Sequence, residues 1–589
     1  MPHQDPHSCY RPDSPFIRHI DFDLVVDFER QVLDDHADYH FSAPLNDVLE
    51  LDTRDLQIRR ISAPGDPSRD LEWQLTEPNF MGSVLRIEDT RGLTRLRIEF
   101  STSPSAAALQ WLAPEQTSGK RHPFMFSQCQ AILARTVFPC QDSPGVRFTY
   151  DATLRVPRGL AAVMAAQHME TVAGADGTVC RFHMRHPIPS YLFALAVGNI
   201  VAEKIGPRSR VFAEPEVVKS AAREFAEVNA MITGAERLFG EYVWDEFNLL
   251  VMPPSFPYGG MENPTLTFLT PTLIAGDRSL VSVVAHELAH SWTGNLVTNA
   301  TWEDFWLNEG WTVYAERRIL EELYGTDLAN LQAVSGRNDL MTDFKNLGEN
   351  SAYTKLKTEL AGMDPDDVYS SVPYEKGFLL LVAVERVVGR AAFDEFLRGY
   401  IRDFAFTSLR TDQFVEYLLK RLPDAAKKVN LDSWIHQPGL PESAPSFASR
   451  LIDDVRAARK LWDAGKRDLS AIINAWNIDQ KILFLEELPP ELPHADCQVI
   501  ERLFAADRTG NCEILLNWYR LAARSSYSKA YPGLREFLSA VGRGKYLKPL
   551  YRALHENPST RSMASELFEQ FKDRYHSVAR NAVSRILAA

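Results

Sequence analysis

The sequence His-Glu-Leu-Ala-His, from His286 to His290, is the first feature of this chain that could do chemistry. On a helix, the four-residue spacing turns the two imidazoles through about 400°, so both can bind one metal ion. Glu287 follows directly and can reach a water molecule at that metal as a general base. Such a pattern arises by chance roughly 2 times in 100 in a chain of this length, so further ligands are needed to support it.

The segment TWEDFWLNEGWTVYAERRI, which follows this pattern, predicts a second helix. Thr301, with Asp304 three residues later, resembles a capping box at its start. Glu309 on this helix is the candidate third ligand, and two histidines with one carboxylate leave a position open for water, as in catalytic zinc sites. We therefore expect one Zn²⁺ per chain. Glu316 could orient a ligand histidine, or it could form an ordinary surface salt bridge.

The elements that must position these residues fall into three regions. In TRLRIEF, Leu96, Ile98 and Phe100 alternate with charged residues, as on a strand with one wet face. The segment VRFTYDATLRV repeats this pattern, and we predict a largely antiparallel β-domain over residues 1–203.

Helical periodicity dominates from about residue 208 to residue 436, and we place the catalytic domain at 204–436. The stretch PPSFPYGGMENP interrupts it and must form a loop or an edge strand. The proline-rich residues 437–446 are the predicted linker. Residues 447–589 alternate apolar and charged stripes over short turns, which indicates stacked antiparallel helices.

Composition excludes several classes of protein. A chain of 589 residues with 45% hydrophobic residues has the size and composition of a globular protein of several domains. The net charge of -14 argues against nucleic acid and anionic membranes as partners. Six cysteines without a C-x-x-C pair indicate reduced thiols, and neither a signal peptide nor an apolar span is visible. We expect a cytoplasmic monomer.

Three matched features together resemble the M1 family of gluzincin aminopeptidases. They are HELAH, then Glu309 within WLNEG, separated from His290 by eighteen residues, and the upstream loop GGMEN at residues 259–263. The segments SQCQA, HSWTGNLVTN, FWLNEG, YSSVPYEKGF and GRGKY resemble one branch, leukotriene A4 hydrolase and its bacterial aminopeptidase relatives, and they span residues 127–545. The resemblance implies a multidomain α+β fold: an antiparallel β-saddle, a thermolysin-like, mostly helical catalytic domain and a HEAT/armadillo-like helical domain.

The resemblance also implies roles for individual residues. Glu262 would bind the N-terminal amine of the substrate, and Tyr374 would donate to the oxyanion. Arg543 and Lys545 would bind the C-terminal carboxylate of a short peptide. Gln128 and Gln130, read as alternate residues of a strand with Cys129 pointing away, would line the site, Gln130 more than Gln128. The expected substrate-binding residues are Gln128, Cys129, Gln130, Pro257, Tyr258, Gly259, Gly260, Met261, Glu262, Asp366, Tyr369, Arg543, Gly544 and Lys545.

Three functions remain open at this point. The leading one is an aminopeptidase acting on short peptides with a free N-terminus, tripeptides above all, because a carboxylate clamp at a fixed distance from the metal selects length. A second adds hydrolysis of a lipid epoxide, since Asp366, Tyr369 and Tyr374 match the residues that this branch uses for that reaction. A third is a catalytically silent scaffold stabilised by zinc, which the intact Glu287 argues against.

Overall fold

A computed structural model of the chain describes residues 4–63, 66–174 and 177–588. A β-rich N-terminal region, a mixed central region and a helical C-terminal region follow one another, which confirms the predicted multidomain α+β fold. The exact domain boundaries stay predictions. Over the described residues, no helix has both the length and the apolar composition that crossing a membrane requires.

The N-terminal region is built from strands that bury alternate side chains. In one of them Leu96, Ile98 and Phe100 are buried while Arg95 is exposed, as predicted. The strands are β1 (Ile17–Asp27), β2 (Val32–Phe41), β3 (Leu49–Thr53), β4 (Gln57–Ala63), β5 (Asp66–Asp70), β6 (Trp73–Leu75), β7 (Ser83–Ile87), β8 (Arg95–Ser101), β9 (Leu109–Leu112), β10 (Phe124–Ser127), β11 (Arg147–Val156), β12 (Ala161–Met164), β13 (Gln167–Ala173), β14 (Thr178–Pro189) and β15 (Leu195–Gly198).

These strands form three sheets. The largest has eight strands in the order β13-β14-β11-β1-β2-β8-β4-β5, and the smaller two have the orders β12-β15-β10-β9 and β3-β7-β6. In the largest sheet β1 and β11 pair in parallel, whereas the other neighbours are antiparallel. The region is therefore largely antiparallel, as the alternating patterns predict.

The central region combines a small sheet with long helices. Its elements are β16 (Val201–Gly206), β17 (Ser209–Ala213), α1 (Val218–Glu224), α2 (Val228–Phe239), β18 (Asn248–Val251), β19 (Gly260–Met261), β20 (Leu266–Leu269), α3 (Ser282–Ala289), β21 (Val297–Asn299), α4 (Trp306–Tyr324), α5 (Thr326–Leu347), α6 (Gly377–Val388), α7 (Arg390–Asp403), β22 (Thr407–Leu409), α8 (Thr411–Arg421), α9 (Pro423–Lys428) and α10 (Leu431–Ile435). The sheet order is β16-β17-β18-β20-β19, so β19 in the glycine-rich stretch is an edge strand, as predicted. Strand β16 lies across residue 203, where the sequence places a boundary.

The helical pattern after residue 208 forms two helices, α1 and α2, separated at Phe225–Glu227. Two local predictions were wrong. Thr301 does not cap α4: its hydroxyl donates to Asp304 in a separate 3₁₀ turn, and α4 begins at Trp306. Strand β10 ends at Ser127, so Gln128 to Gln130 lie beyond it; the amide of Gln128 instead donates to the carbonyl of Ala108.

The C-terminal region consists of helices, as predicted, and has its own apolar core. The helices are α11 (Arg450–Asp463), α12 (Ser470–Asn474), α13 (Ile478–Glu486), α14 (His494–Leu503), α15 (Cys512–Arg524), α16 (Tyr531–Ala540), α17 (Gly544–Glu556), α18 (Arg561–Phe571) and α19 (Ser577–Ala588). Helices α11, α13, α15, α17 and α19 contact one another in that order and form one layer. Helix α5 of the central region packs against α11 and α13, which joins this layer to the catalytic domain.

Candidate active site

Two imidazoles meet at the end of α3. His286 lies in its last turn, and His290 directly follows it in helical conformation, so the Nε2 atoms are 3.1 Å apart. The Nδ1 atom of His286 lies 3.0 Å from Glu316 Oε2, and that of His290 lies 3.1 Å from the carbonyl oxygen of Thr293. Because both Nδ1 atoms face acceptors, both Nε2 atoms are directed to one point.

Glu309, in the first turn of α4, faces the same point. Its Oε2 atom lies 3.4 Å from His286 Nε2 and 3.6 Å from His290 Nε2. Ligands bound tetrahedrally at about 2.0–2.1 Å are separated by about 3.3–3.4 Å, so the three atoms fit a single ion. Glu309 Oε2 is buried without a hydrogen-bond partner among the described residues, and a metal ion would supply the missing partner.

Electrostatics also favours a cation at this point. Burial lowers the pKa of His286, but the carboxylates of Glu309 and Glu316 outweigh it and raise that pKa well above its usual value. Burial lowers the pKa of His290 well below its usual value, so this ring stays neutral and able to bind a metal. The residues present therefore fit a divalent ion.

Close packing of glycines places α4 against α6. A Cβ atom at Gly310 would lie 2.8 Å from the Cα atom of Gly377, and 3.1 Å from the carbonyl oxygen of Pro373. No larger side chain fits at this contact. Glu309 precedes the first of these glycines and Tyr374 lies three residues before the second, so the contact brings the third ligand close to the tyrosine.

Two further glutamates surround the candidate ligands. A Cβ atom at Gly260 would collide with the Glu287 carboxylate, so the glycine of β19 leaves room for that side chain. Glu262, directly after β19, is buried, and its Oε1 atom has no partner within the described part of the chain. Carboxylate oxygens of Glu262 and Glu287 lie within 4.8 Å of each other and of a ring nitrogen of His290.

Burial of these acids shifts their protonation. Burial raises the pKa of Glu287 to about 8, against the opposing effect of His286. Burial, with the charges of Glu309 and Glu287, raises the pKa of Glu262 well above its usual value. Without a cation both acids would therefore tend to hold their protons, and a cation bound at this point would favour their ionised forms.

Tyr374 approaches the site from a π-helical turn at Val372–Lys376. Its ring stacks on His286 with centroids 6.1 Å apart, and its hydroxyl lies 3.1 Å from that of Tyr369. Burial and the charge of Glu309 raise the pKa of Tyr374 well above its usual value, so its phenol keeps its proton. It can therefore act as a neutral hydrogen-bond donor.

The predicted epoxide residues lie beside Tyr374. Tyr369 is about half exposed, at 49%, and its ring lies 6.4 Å from that of Tyr258. Burial raises the pKa of Asp366 to about 8, with Asp364 and Asp367 adding to the rise. Asp366 is placed by the 3₁₀ turn Pro365–Val368.

The N-terminal region reaches the site through Gln128. Its side-chain amide lies 3.1 Å from the sulfur of Met261, and both residues are buried. Cys129 is buried as well, whereas Gln130 is half-buried. The contact with Met261 places Gln128 against the glycine-rich edge strand.

The C-terminal region contributes Arg543 and Lys545 at the start of α17. A Cβ atom at Gly259 would collide with the Arg543 guanidinium, and the amide of Gly544 donates to the carbonyl of Pro257 at 2.8 Å. The Arg543 side chain is only 11% exposed and lies against the glycine-rich loop, whereas that of Lys545 is 49% exposed. The two cations therefore differ in their surroundings.

Sequence reasoning missed several residues that hold the site. Glu513 accepts from Lys545 Nζ at 2.9 Å and lies 3.8 Å from Arg543. Asn295 donates to the backbone carbonyl of Glu262 at 2.6 Å. The hydroxyl of Thr312 lies 3.1 Å from His290 Nδ1, and its place three residues beyond Glu309 on α4 was a usable signal. Glu513 lies far before Arg543 and Lys545 in the sequence, so its spacing gave no indication of these contacts.

A buried His-His-Glu trio with an adjacent glutamate, set in this three-part fold, defines a metallopeptidase of the His-Glu-x-x-His class. Comparison with family models agrees with this class. The Peptidase M1 N-terminal domain matches residues 18–192, the Peptidase family M1 domain residues 224–437, and the Leukotriene A4 hydrolase C-terminal domain residues 476–587.

Similar proteins cover the whole chain. Leukotriene A-4 hydrolase of Xenopus laevis is 38% identical, over 99% of both chains, and leucine aminopeptidase 2 of Sclerotinia sclerotiorum is likewise 38% identical over 99% of both. The structure of yeast LTA4 hydrolase in complex with bestatin matches with a TM-score of 0.93 and 34% identity, covering 100% of this chain and 98% of that one. The chain belongs to peptidase family M1, in the branch of the leukotriene A4 hydrolases, and is a metallo-aminopeptidase of that family.

Proposed function

We propose that this protein is a zinc-dependent aminopeptidase that removes single residues from the N-terminus of short peptides. The observation that carries the proposal is the convergence of Glu262, Glu287 and Glu309 on the two imidazoles of His286 and His290. Three buried carboxylates converge on one point, and two cations bound there would balance their negative charge. A divalent metal ion and the α-ammonium group of a peptide would meet that need.

His286, His290 and Glu309 would hold one Zn²⁺ per chain. When bound, the ion supplies Lewis acidity, which lowers the pKa of a water molecule and polarises the substrate carbonyl. Glu316 and the carbonyl of Thr293 keep the two rings oriented through their Nδ1 atoms. Related solved structures are described as M1 zinc metallopeptidases, which supports zinc as the metal.

Glu287 would act first as the general base and then as the general acid. Its carboxylate accepts the proton of the attacking water and then delivers it to the amine that leaves when the peptide bond breaks. Its Oε2 atom is buried and has no partner among the described residues, so it is available for this task. Glu287 is not part of the trio that binds the metal.

Tyr374 would stabilise the charge that develops on the carbonyl oxygen. Its raised pKa keeps the phenol protonated at neutral pH, so it can donate a hydrogen bond to that oxygen. Stacking on His286 keeps the hydroxyl near the metal ligands.

Glu262 would restrict the enzyme to the first peptide bond. Its buried, unpartnered Oε1 atom can accept from a free α-ammonium group, which fixes the N-terminus beside the metal. An internal peptide bond has no such group nearby. Gln128, Gln130 and Tyr258 would line the space for the side chain of the first residue of the peptide substrate. Three similar proteins bear the name leucine aminopeptidase 2, which supports peptides as substrates.

Arg543, together with Lys545, would bind the C-terminal carboxylate of the peptide. A guanidinium can bind a carboxylate with two parallel hydrogen bonds. With one end of the substrate at Glu262 and the other at Arg543, tripeptide-sized substrates are favoured. We further propose that the protein acts as a cytoplasmic monomer without nucleic-acid or membrane partners.

Replacing Glu287 by Gln tests the proposed function and separates it from a silent zinc scaffold. We expect hydrolysis of aminoacyl naphthylamides to fall by at least a hundredfold, since general base catalysis contributes about 10²–10⁴-fold. Elemental analysis should still find as much zinc per chain as in the wild type. Glu322→Gln, a matched change at an exposed position of α4, should leave the rate unchanged. Equal rates for the wild type and Glu287→Gln would refute the enzyme mechanism.

A second candidate activity is hydrolysis of a lipid epoxide. The hydroxyls of Tyr369 and Tyr374 lie 3.1 Å apart, with Asp366 placed nearby in the chain. One relative is named leukotriene A-4 hydrolase, which supports this candidate. Incubation of the purified protein with leukotriene A4 should then yield a dihydroxy acid, and only non-enzymatic products would remove the candidate.

A further inference from the structure

Five metal-binding side chains meet on the solvent face of the eight-stranded sheet, outside the site described above. In the sheet register His19 of β1 is opposite His40 of β2, Asp21 of β1 is opposite Asp151 of β11, and Asp151 is opposite His183 of β14. Residues directly opposite in a sheet project from the same face. All five therefore lie on one face, and the other face carries the buried apolar residues of the same strands.

Three donor atoms in this group have the spacing of metal ligands. His19 Nε2 lies 3.2 Å from Asp21 Oδ1 and 3.4 Å from Asp151 Oδ2. All three residues offer ligand atoms within 4.8 Å of one another. The corresponding separations among His286, His290 and Glu309 are 3.1, 3.4 and 3.6 Å. The two separations from His19 thus fall within the range found in the catalytic trio.

The remaining atoms of the trio already have partners that fix their orientation. Asp21 Oδ2 lies 2.7 Å from His40 Nε2, and Asp151 Oδ1 lies 2.8 Å from His183 Nδ1. His19 Nδ1 lies 2.7 Å from the hydroxyl of Thr149. Such outer contacts orient ligands in metal sites and leave one atom of each residue for the ion.

Charge and access favour a dication. A single N–H group at His19 Nε2 cannot satisfy two carboxylates that compete for it. The nearby guanidiniums of Arg97 and Arg155 are each paired with a different aspartate, Asp38 and Asp23 respectively. A groove of about 360 Å³, lined in part by Asp21 and Asp151, opens to solvent beside the trio.

We propose that His19, Asp21 and Asp151 form a second, exchangeable binding site for a transition-metal dication such as Zn²⁺. An imidazole ligand favours zinc, cobalt or nickel over magnesium and calcium, which prefer oxygen ligands alone. Water would complete the coordination. The ion would link β1 to β11, which pair in parallel, and would stabilise the N-terminal region without taking part in hydrolysis.

Equilibrium dialysis of the holoenzyme against buffered free Zn²⁺, followed by elemental analysis, tests this site. We expect the wild type to bind one zinc per chain beyond the catalytic one. Affinity for this second ion should fall at least tenfold in His19→Ala and in Asp151→Asn. His36→Ala is the matched control, because His36 lies on the same face of β2 but pairs with Asp35 instead. Excess Mg²⁺ should not displace the second zinc.

Thermal unfolding gives an independent measurement. Added Zn²⁺ should raise the Tm of the wild type and of His36→Ala, and should leave that of Asp151→Asn unchanged. Unaltered peptide hydrolysis by the variants shows that they fold. If His19→Ala fails to fold, the near-isosteric Asp151→Asn still tests the site. A wild type that binds no second zinc, or variants that bind it as tightly as the wild type, would overturn the proposal. Neither outcome bears on the catalytic mechanism.

Discussion

Tyr374 offers the clearest test at the scale of single residues. Its phenol is held protonated near the metal ligands, and its ring stacks on His286. Tyr374→Phe keeps the ring and removes only the donor. We expect kcat to fall 10²- to 10³-fold, equivalent to about 2.7–4 kcal/mol of transition-state stabilisation, with little change in KM. Steady-state kinetics with an aminoacyl naphthylamide measure both values.

Tyr369→Phe is the matched control for this prediction. Tyr369 contacts Tyr374 through its hydroxyl but is about half exposed. Its loss should change peptide hydrolysis less than tenfold. A Tyr374→Phe variant that keeps more than a tenth of the wild-type kcat would contradict the role of the phenol as oxyanion donor.

The sequence predicted the positions of site residues best where their spacing along one helix determines which side chains lie together. His286 and His290 are four residues apart on one helix, so helical periodicity alone places them together. The extended conformation expected for Gln128 to Gln130 failed because β10 ends at Ser127, opposite the first residue of its partner β9, and the extent of such pairing cannot be read from local alternation. Glu513 was missed for a related reason, since its contact with Lys545 joins two different helices.

At the scale of elements, the turn that carries Tyr374 is anchored by two buried charged residues. Glu375 forms two hydrogen bonds with Arg317 of α4, at 2.7 and 2.9 Å. Lys376 donates from Nζ to the carbonyls of Thr354 and Gln437, both at 2.9 Å. Burial lowers the pKa of Lys376 to about 7, with the charge of Lys355 adding to the effect.

This lowered pKa predicts a pH-dependent stability. Between pH 7 and about 10.4, the unfolded chain binds a proton at Lys376 that the folded chain has released. Stability due to this residue therefore rises with pH in that range, by up to about 1.4 kcal/mol per pH unit, and its destabilising effect is greatest below pH 7. In Lys376→Met this contribution is absent.

Thermal unfolding of both proteins from pH 6 to pH 9.5 measures the effect. The Tm of the wild type should increase relative to that of Lys376→Met as the pH rises above 7. Taking the difference between the two proteins cancels the other groups that titrate in this range. A difference that stays constant, or that shrinks with pH, would show that Lys376 keeps its proton in the folded protein.

Element types followed from the periodicity of apolar residues more reliably than element ends did. The β-rich and helical regions were predicted, and the glycine-rich stretch, predicted as a loop or an edge strand, forms an edge strand. The five-stranded sheet of the central region was not predicted. The true start of α4 was also missed: Thr301 bonds to Asp304, which in turn accepts from Thr411 of a distant helix.

At the scale of the whole molecule, the candidate site combines three regions, of which the N-terminal and central regions share one apolar core and the C-terminal region has its own. The N-terminal region supplies Gln128, the central region supplies the proposed metal ligands, and the C-terminal region supplies Arg543. Sequence alone could not show which of the two cations faces the loop. In the structure Arg543 is buried against Gly259, whereas Lys545 is bound to Glu513. Although burial alone would raise it, the charges of Lys545 and Arg543 hold the pKa of Glu513 below its usual value.

This asymmetry predicts unequal roles in binding the peptide carboxylate. Lys545 is already bound to Glu513, so Arg543 should make the stronger interaction with the peptide carboxylate. We expect Arg543→Met to raise KM for tripeptides at least tenfold, since a hydrogen bond to a charged group contributes about 1.5–3 kcal/mol. Lys545→Met should have a smaller effect. Neither change should greatly affect aminoacyl naphthylamides, which have no carboxylate.

A tripeptide amide separates carboxylate binding from a purely structural role of Arg543. Amidation removes the negative charge of the substrate, so the wild type should bind the amide about as weakly as Arg543→Met binds the free acid. The variant should then distinguish little between acid and amide, because the group that recognises the difference is gone. If Arg543→Met instead impairs naphthylamides as strongly as tripeptides, its guanidinium serves to support the loop at Gly259, and the length preference must arise elsewhere.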